Sequence, residues 1–186
     1  MKFLLFIKFV HKRSTILNIV IGLTIILIFN LLIIRYISLL LFDCPFSSIL
    51  DLKFSYTVNI VNQLFNDLDV VGRRNYLVFA LLMDLPYALF YSFVYAAIIL
   101  KLYGNYVIKV YRVLFVFPFL ITFFDLLENF GIAIMVLVFP TIKNSLVNAV
   151  SLCTSLKWIS AFCVALVVFT GIIIKLFSIV QKKLYC

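Results

Sequence analysis

Apolar residues fill this chain in long blocks, and polar residues collect in the short stretches between them. Residues 14–34 carry no charge, Arg35 interrupts them, and 36–42 continue apolar; further blocks run over 76–100, 113–139 and 152–174. Each block reaches the roughly 20 residues a helix needs to cross a hydrocarbon layer. The pattern therefore predicts four membrane-spanning helices, the first over about 14–42, long enough to tilt, with Arg35 snorkelling or reaching into the bundle. The one sizeable stretch between blocks is 43–75, where Cys44-Pro45 stops the first span. Inside it Val58, Val61, Phe65 and Leu68 recur at helical spacing, predicting a short amphipathic helix over 57–68 that Gly72 ends. Pro86 removes the partner of the Leu82 carbonyl and predicts a bend near Asp84; Pro118 predicts a second kink, and Pro140 closes the third span. Asn18 and Gly22 share a face of the first span, and Ser160, Ala161 and Ala165 offer small side chains in the fourth, as close helix packing in lipid requires.

Residues 1–13, MKFLLFIKFVHKR, alternate apolar and basic positions. Lys8 interrupts the run and no small-residue cleavage site follows, so the segment reads as an amphipathic helix on the membrane surface, not as a signal peptide. His11, the one histidine, sits there beside Lys12 and reads as a surface residue.

Composition turns this pattern into a class. Two thirds of the 186 residues are hydrophobic, 17% are aromatic, and the mean hydropathy is +1.24. Soluble domains are about 45–50% apolar, so the fold class is all-α: a single-domain membrane four-helix bundle with a short amphipathic helix in the first outer loop. The net charge of +9 does not point to nucleic acid, because the basic residues flank apolar blocks as membrane topology demands. Residues 1–13, 101–112 and the C-terminal end carry Lys and Arg without an acid, whereas 43–75 mixes three basic residues with four aspartates. By the positive-inside rule both termini are cytoplasmic. The expected partners are membrane lipids and other membrane subunits.

The candidate chemistry lies inside the spans. Asp125, Glu128 (the sole glutamate) and Asn129 are spaced i, i+3, i+4 and so share one helix face. Asp84, Tyr87, Tyr91 and Tyr95 follow spacings of 3, 4 and 4, forming a second polar-tipped stripe. A charge at this depth costs a few kcal/mol or more, so both faces should point into the bundle. At a rise of about 1.5 Å per residue, Asp84 lies roughly 12 Å below the outer end of its span, Glu128 about 15–18 Å, and Lys157 within about 8 Å of the start of the fourth. Arg73, Arg74 and Tyr76 mark the outer rim. The candidate ligand-binding set is thus Asp84, Asp125, Glu128, Asn129, Lys157, Arg73, Tyr76, Tyr87 and Tyr91.

Three functions fit this set: a structural network that pairs Lys157 and Asn129 with the carboxyls, a ligand, head-group or proton site, or a lipid-modifying enzyme. The spans hold no histidine, and no GxSxG, HExxH, CxxC or glycine-rich phosphate loop occurs. That weighs against catalysis, and no cofactor or metal is expected. Cys44, Cys153, Cys163 and Cys186 have no metal-ligand spacing; Cys44 and Cys153 fall on the outer side, as free thiols or as a disulfide pair.

Taken together, Gly72-Arg73-Arg74-Asn75-Tyr76, the span-two Asp84, Asp125-Leu126-Leu127-Glu128-Asn129 and Leu156-Lys157-Trp158 resemble the pattern of a scattered group of small, uncharacterised four-span membrane proteins. The resemblance covers about residues 14–175. It implies that these polar residues act as one constellation, and carries no assigned activity. Claudin-like and tetraspanin-like adhesion proteins also have four spans, but the outer loop here lacks their paired cysteines.

Overall fold

The computed structural model describes residues 2–34, 49–104 and 113–184. The expectations made for Arg35, residues 36–42, Cys44-Pro45, Lys109, Arg112, Cys186 and a Cys44–Cys153 pair lie outside these residues. Among the described residues regular structure is entirely helical. We number the helices α1 (Lys2–Arg13), α2 (Ile16–Ile28, continuing as a π turn Phe29–Ile34), α3 (Val58–Asp67), α4 (Val70–Tyr103), α5 (Phe117–Val138) and α6 (Asn144–Leu184). Helices α4, α5 and α6 are each long and apolar enough to cross a membrane. Helices α1 and α2 meet that test only together, as a pair bent by 85°.

The bend is built from short polar side chains. Ser14 Oγ donates to the Val10 carbonyl at 2.7 Å, and Asn18 Nδ2 donates to the Arg13 carbonyl at 2.8 Å. Thr15 caps α2 by accepting from the Asn18 amide. Asn18 is exposed and serves this elbow, not the helix contact its spacing predicts. Gly22 does make that contact: it is buried, and a Cβ there would stand 2.7 Å from Val94 of α4. The amphipathic reading of α1 holds, with Ile7 and Val10 buried and His11, Lys12 and Arg13 exposed.

Helix α3 forms where its apolar spacing predicts and buries Val61, Leu64 and Phe65. Gly72 does not end it. The chain turns at Leu68, Asp69 caps the next helix by accepting from the Gly72 amide at 2.6 Å, and α4 begins at Val70, six residues before the apolar block. A good N-cap and the buried Gly72 carry the helix out beyond the hydrophobic run. Around Asp84 the helix widens into a π turn, Phe79–Asp84, directly before Pro86. The wider register takes up the missing Pro86 donor and its clash with the preceding turn. Pro118 is no kink: it occupies the first turn of α5, where its lack of an N–H costs nothing. Helix α6 starts at Asn144, so most of the expected 142–151 loop is helical.

Two apolar layers enclose the site. One joins α3, the start of α4, the end of α5 and the start of α6 through Phe65, Tyr76, Phe79, Ile132, Met135 and Val150. The other joins α1, the end of α4 and Phe115 through Ile7, Val10, Ala96 and Leu100. Gly131 brings α5 against α6 so closely that a Cβ would run into Val150. In α6 the small residues are less used than expected: Ser160 and Ala161 are half-buried and Ala165 is exposed. Outward positions are apolar, with Leu137 at 74% and Phe177 at 67% exposure. Such a surface suits lipid and not water. The chain is an all-α integral membrane bundle.

Candidate functional site

Between the two apolar layers lies a band of polar side chains, buried except for the half-buried Tyr87, Tyr91 and Tyr95. Helix α4 supplies Asp84, Tyr87, Tyr91, Ser92 and Tyr95; α5 supplies Thr122, Asp125, Glu128 and Asn129; α6 supplies Thr154 and Lys157. The stripes predicted on α4 and α5 do face inward: Asp84, Asp125, Glu128 and Asn129 are each at most 6% exposed.

Lys157 is the hub. Its ammonium lies 2.6 Å from Glu128 Oε2 and 3.2 Å from Asp125 Oδ1, and it pairs closely with Asp51 Oδ1. It also donates to the Asp51 carbonyl at 3.3 Å. Because α6 begins at Asn144, Lys157 stands about 20 Å along the helix, deeper than the 8 Å expected from a start at 152. The other carboxylate oxygens are held as well. Tyr91 donates to Asp125 Oδ2 at 2.9 Å, and Thr154 donates to Glu128 Oε1 at 2.8 Å. Asn129 Nδ2 donates to Asp84 Oδ2 at 2.6 Å, while no ion pair joins Asp84 to a described residue. The Ser92 and Thr122 hydroxyls touch and donate to the Pro118 and Ala88 carbonyls, both at 2.8 Å, tying α4 to α5 beside the cluster.

A cavity of about 190 Å³ opens onto this band. Asp51, Asp84, Asp125 and Lys157 meet it, together with Tyr87, Tyr91, Tyr95, Trp158 and Asn30. Of the predicted set, Asp84, Tyr87, Tyr91, Asp125 and Lys157 line the cavity, and Glu128 and Asn129 stand directly behind. Arg73 and Tyr76 do not reach it. Arg73 donates to the Phe65 and Leu68 carbonyls, each at 2.5 Å, and lies over the Phe139 ring, so it caps the end of α3. Tyr76 accepts from the Leu50 amide at 3.1 Å and thereby holds the 3₁₀ turn Leu50–Leu52 that presents Asp51. Its role is positional. Arg74 is exposed.

Asp51 is the principal residue that sequence reasoning missed. It belongs to the 43–75 stretch, outside the periodic segment, and nothing local marks it among that stretch's four aspartates. Thr154 had a signal, three residues before Lys157 and hence on the same face. Tyr56 was also missed: its hydroxyl lies 3.2 Å from Thr154 Oγ1, and its amide donates to Ser151 Oγ at 2.9 Å. Burial, then the nearby Glu128 charge, holds the Tyr56 phenol well above its ordinary range, so it stays neutral.

Among the described residues, Asp51, Asp84, Asp125 and Glu128 gather around one ammonium, that of Lys157. Full ionisation would leave surplus negative charge in a medium that screens it poorly, so the site favours an added proton or cation. Asp51, Asp125 and Glu128 bring carboxylate oxygens within 4.8 Å of one another, close enough to hold a metal ion. The Lys157 ammonium already stands among those oxygens, and a metal would have to displace it. Comparison with protein-family models, curated proteins and solved structures returns no match for this chain.

Proposed function

We propose that this chain is a small four-span membrane protein, both termini cytoplasmic, whose acidic cavity takes up a lipid head group, a small polar ligand or a proton from within the bilayer. The proposal counts the apolar block over about 14–42, of which α2 is the described part, as the first span, with α1 bent 85° away from it along the membrane surface. It groups the chain with the small four-span proteins that share its Gly-Arg-x-x-Tyr, Asp-x-x-Glu-Asn and Leu-Lys-Trp elements. The observation that carries it is the cavity itself: a bundle gaining only rigidity from its polar layer would have no reason to set Asp84, which has no ion-pair partner among the described residues, beside open volume.

A second reading rests on Lys157. Its bonds tie the Asp51 turn to α5 and α6, which is how a structural network in a non-catalytic subunit of a larger complex would be built. Mass spectrometry of the intact protein in mild detergent separates the two. If a defined molecule co-purifies with wild type and is lost in Glu128→Gln, the cavity is a binding site. For a proton ligand, uptake on acidification would differ between the two proteins. If Glu128→Gln changes only the melting temperature or the retention of partner subunits, the carboxyl is structural.

A further inference from the structure

The cavity wall says more about its occupant than the carboxyl count does. Tyr87, Tyr91 and Tyr95 stand in a row along α4, with ring centroids 5.3 Å and 6.0 Å apart, and Trp158 of α6 also lines the cavity, its own ring already 5.9 Å from the Lys157 ammonium. Asp84 enters the same space, 6% exposed, with one oxygen held by Asn129 and, among the described residues, no ion-pair partner. Aromatic walls around a carboxylate are what an organic ammonium group requires: the ring faces attract the diffuse positive charge and the carboxylate neutralises it. The alternatives fit less well. An anion would meet Asp51, Asp84 and Asp125 together, and the Lys157 charge is already taken up by Asp51, Asp125 and Glu128. A bare metal ion would leave most of the 190 Å³ empty against ring carbons and would find its oxygen cluster filled by Lys157. Phe29 stacks on Tyr87 at 3.9 Å, so α2 fixes the orientation of the first ring in the row.

We propose that the cavity binds an alkylammonium group, with Asp84 as its counter-ion and Tyr87, Tyr91 and Tyr95 as its cage. This rests on the ligand-binding reading above and names the ligand's chemical class. The group could be the head of a choline lipid or a soluble amine, and the two sources share the same recognition chemistry.

Trp158 is the chain's one tryptophan, so its fluorescence reports on the cavity without a label. The experiment titrates choline, and separately its uncharged isostere 3,3-dimethylbutan-1-ol, into the full-length protein in phosphatidylglycerol nanodiscs. Choline should change Trp158 emission saturably and the neutral alcohol should not. Asp84→Asn can still accept from Asn129, so it should fold; it should weaken choline by about thirtyfold or more. Tyr87→Phe keeps the ring face and should bind within about twofold of wild type, whereas Tyr87→Leu should lose about two- to tenfold. In phosphatidylcholine nanodiscs a lipid-borne ligand would already fill the site and abolish the choline response; a soluble ligand would leave it intact. Equal responses to choline and the alcohol overturn the proposal. So does saturation by Mn²⁺ or inorganic phosphate with none by choline, or unchanged choline affinity in Asp84→Asn. If a bound molecule is lost on Glu128→Gln yet choline does not bind, only the ammonium assignment fails. If nothing binds by either method, the binding-site reading fails with it.

Discussion

At Lys157, burying one ammonium is offset by three carboxylates, two from α5 and one from the Leu50–Leu52 turn. Removing one member of a buried ion pair costs more than the pair contributes, because the remaining charges lose their partner. Lys157→Met should therefore destabilise the protein by about 3–5 kcal/mol, measured by thermal unfolding in a fixed detergent. Adding Glu128→Gln should recover part of that loss, since one uncompensated carboxylate becomes neutral. Strictly additive effects in the double mutant would show that the two side chains are not coupled. The inward direction of Asp84, Asp125 and Glu128 was legible from spacing and from the cost of turning them to lipid. That Asp51 completes the set was not, because it lies 106 positions from Lys157 in a loop whose path only packing determines.

Among the elements, α5 meets α6 closely at Gly131, where the Val150 side chain fills the space a Cβ would need. Gly131→Val should force the two helices apart and cost about 1–3 kcal/mol, and the shift should widen the gap between Glu128 and Thr154. A melting temperature equal to wild type would mean that this contact yields freely. The start of α4 offers a second test. Asp69→Ala removes a cap worth about 1 kcal/mol, and faster amide exchange over 70–75, with the rest of α4 unchanged, is the expected result. Protection left intact there would mean that packing against α3, not the cap, sets the helix start. The short amphipathic α3 and the inward stripe of α4 followed from periodicity. The true starts of α4 and α6 did not, since a cap and a buried neighbour can extend a helix well past its apolar block.

For the molecule as a whole, length and exposure describe a bundle that overshoots the hydrocarbon layer. Helix α6 has 41 residues and spans roughly 60 Å, against a core of about 30 Å. Its ends should therefore reach through the interface, with Lys175 on one side and Asn144 on the other. A reporter enzyme active only in the cytoplasm, fused in turn to each terminus, should be active at both. Activity at one end only would show an odd number of spans and would sink the four-span topology. The apolar outer face explains why composition alone placed the chain in a membrane.

What the sequence determined by itself is what depends on local chemistry: the all-α class, the membrane-length blocks, the amphipathic α1 and α3, and the faces that cannot meet lipid. Each follows from side-chain spacing and transfer cost, which need no knowledge of neighbours. The tertiary structure decided which polar groups meet. It moved Arg73 to the end of α3 and Tyr76 to the Asp51 turn, brought Asp51 onto Lys157, and left Asp84 beside an aromatic-walled cavity. Those outcomes depend on hydrogen bonds and packing between segments far apart in the chain, where direction and distance are set by the fold and not by the order of residues.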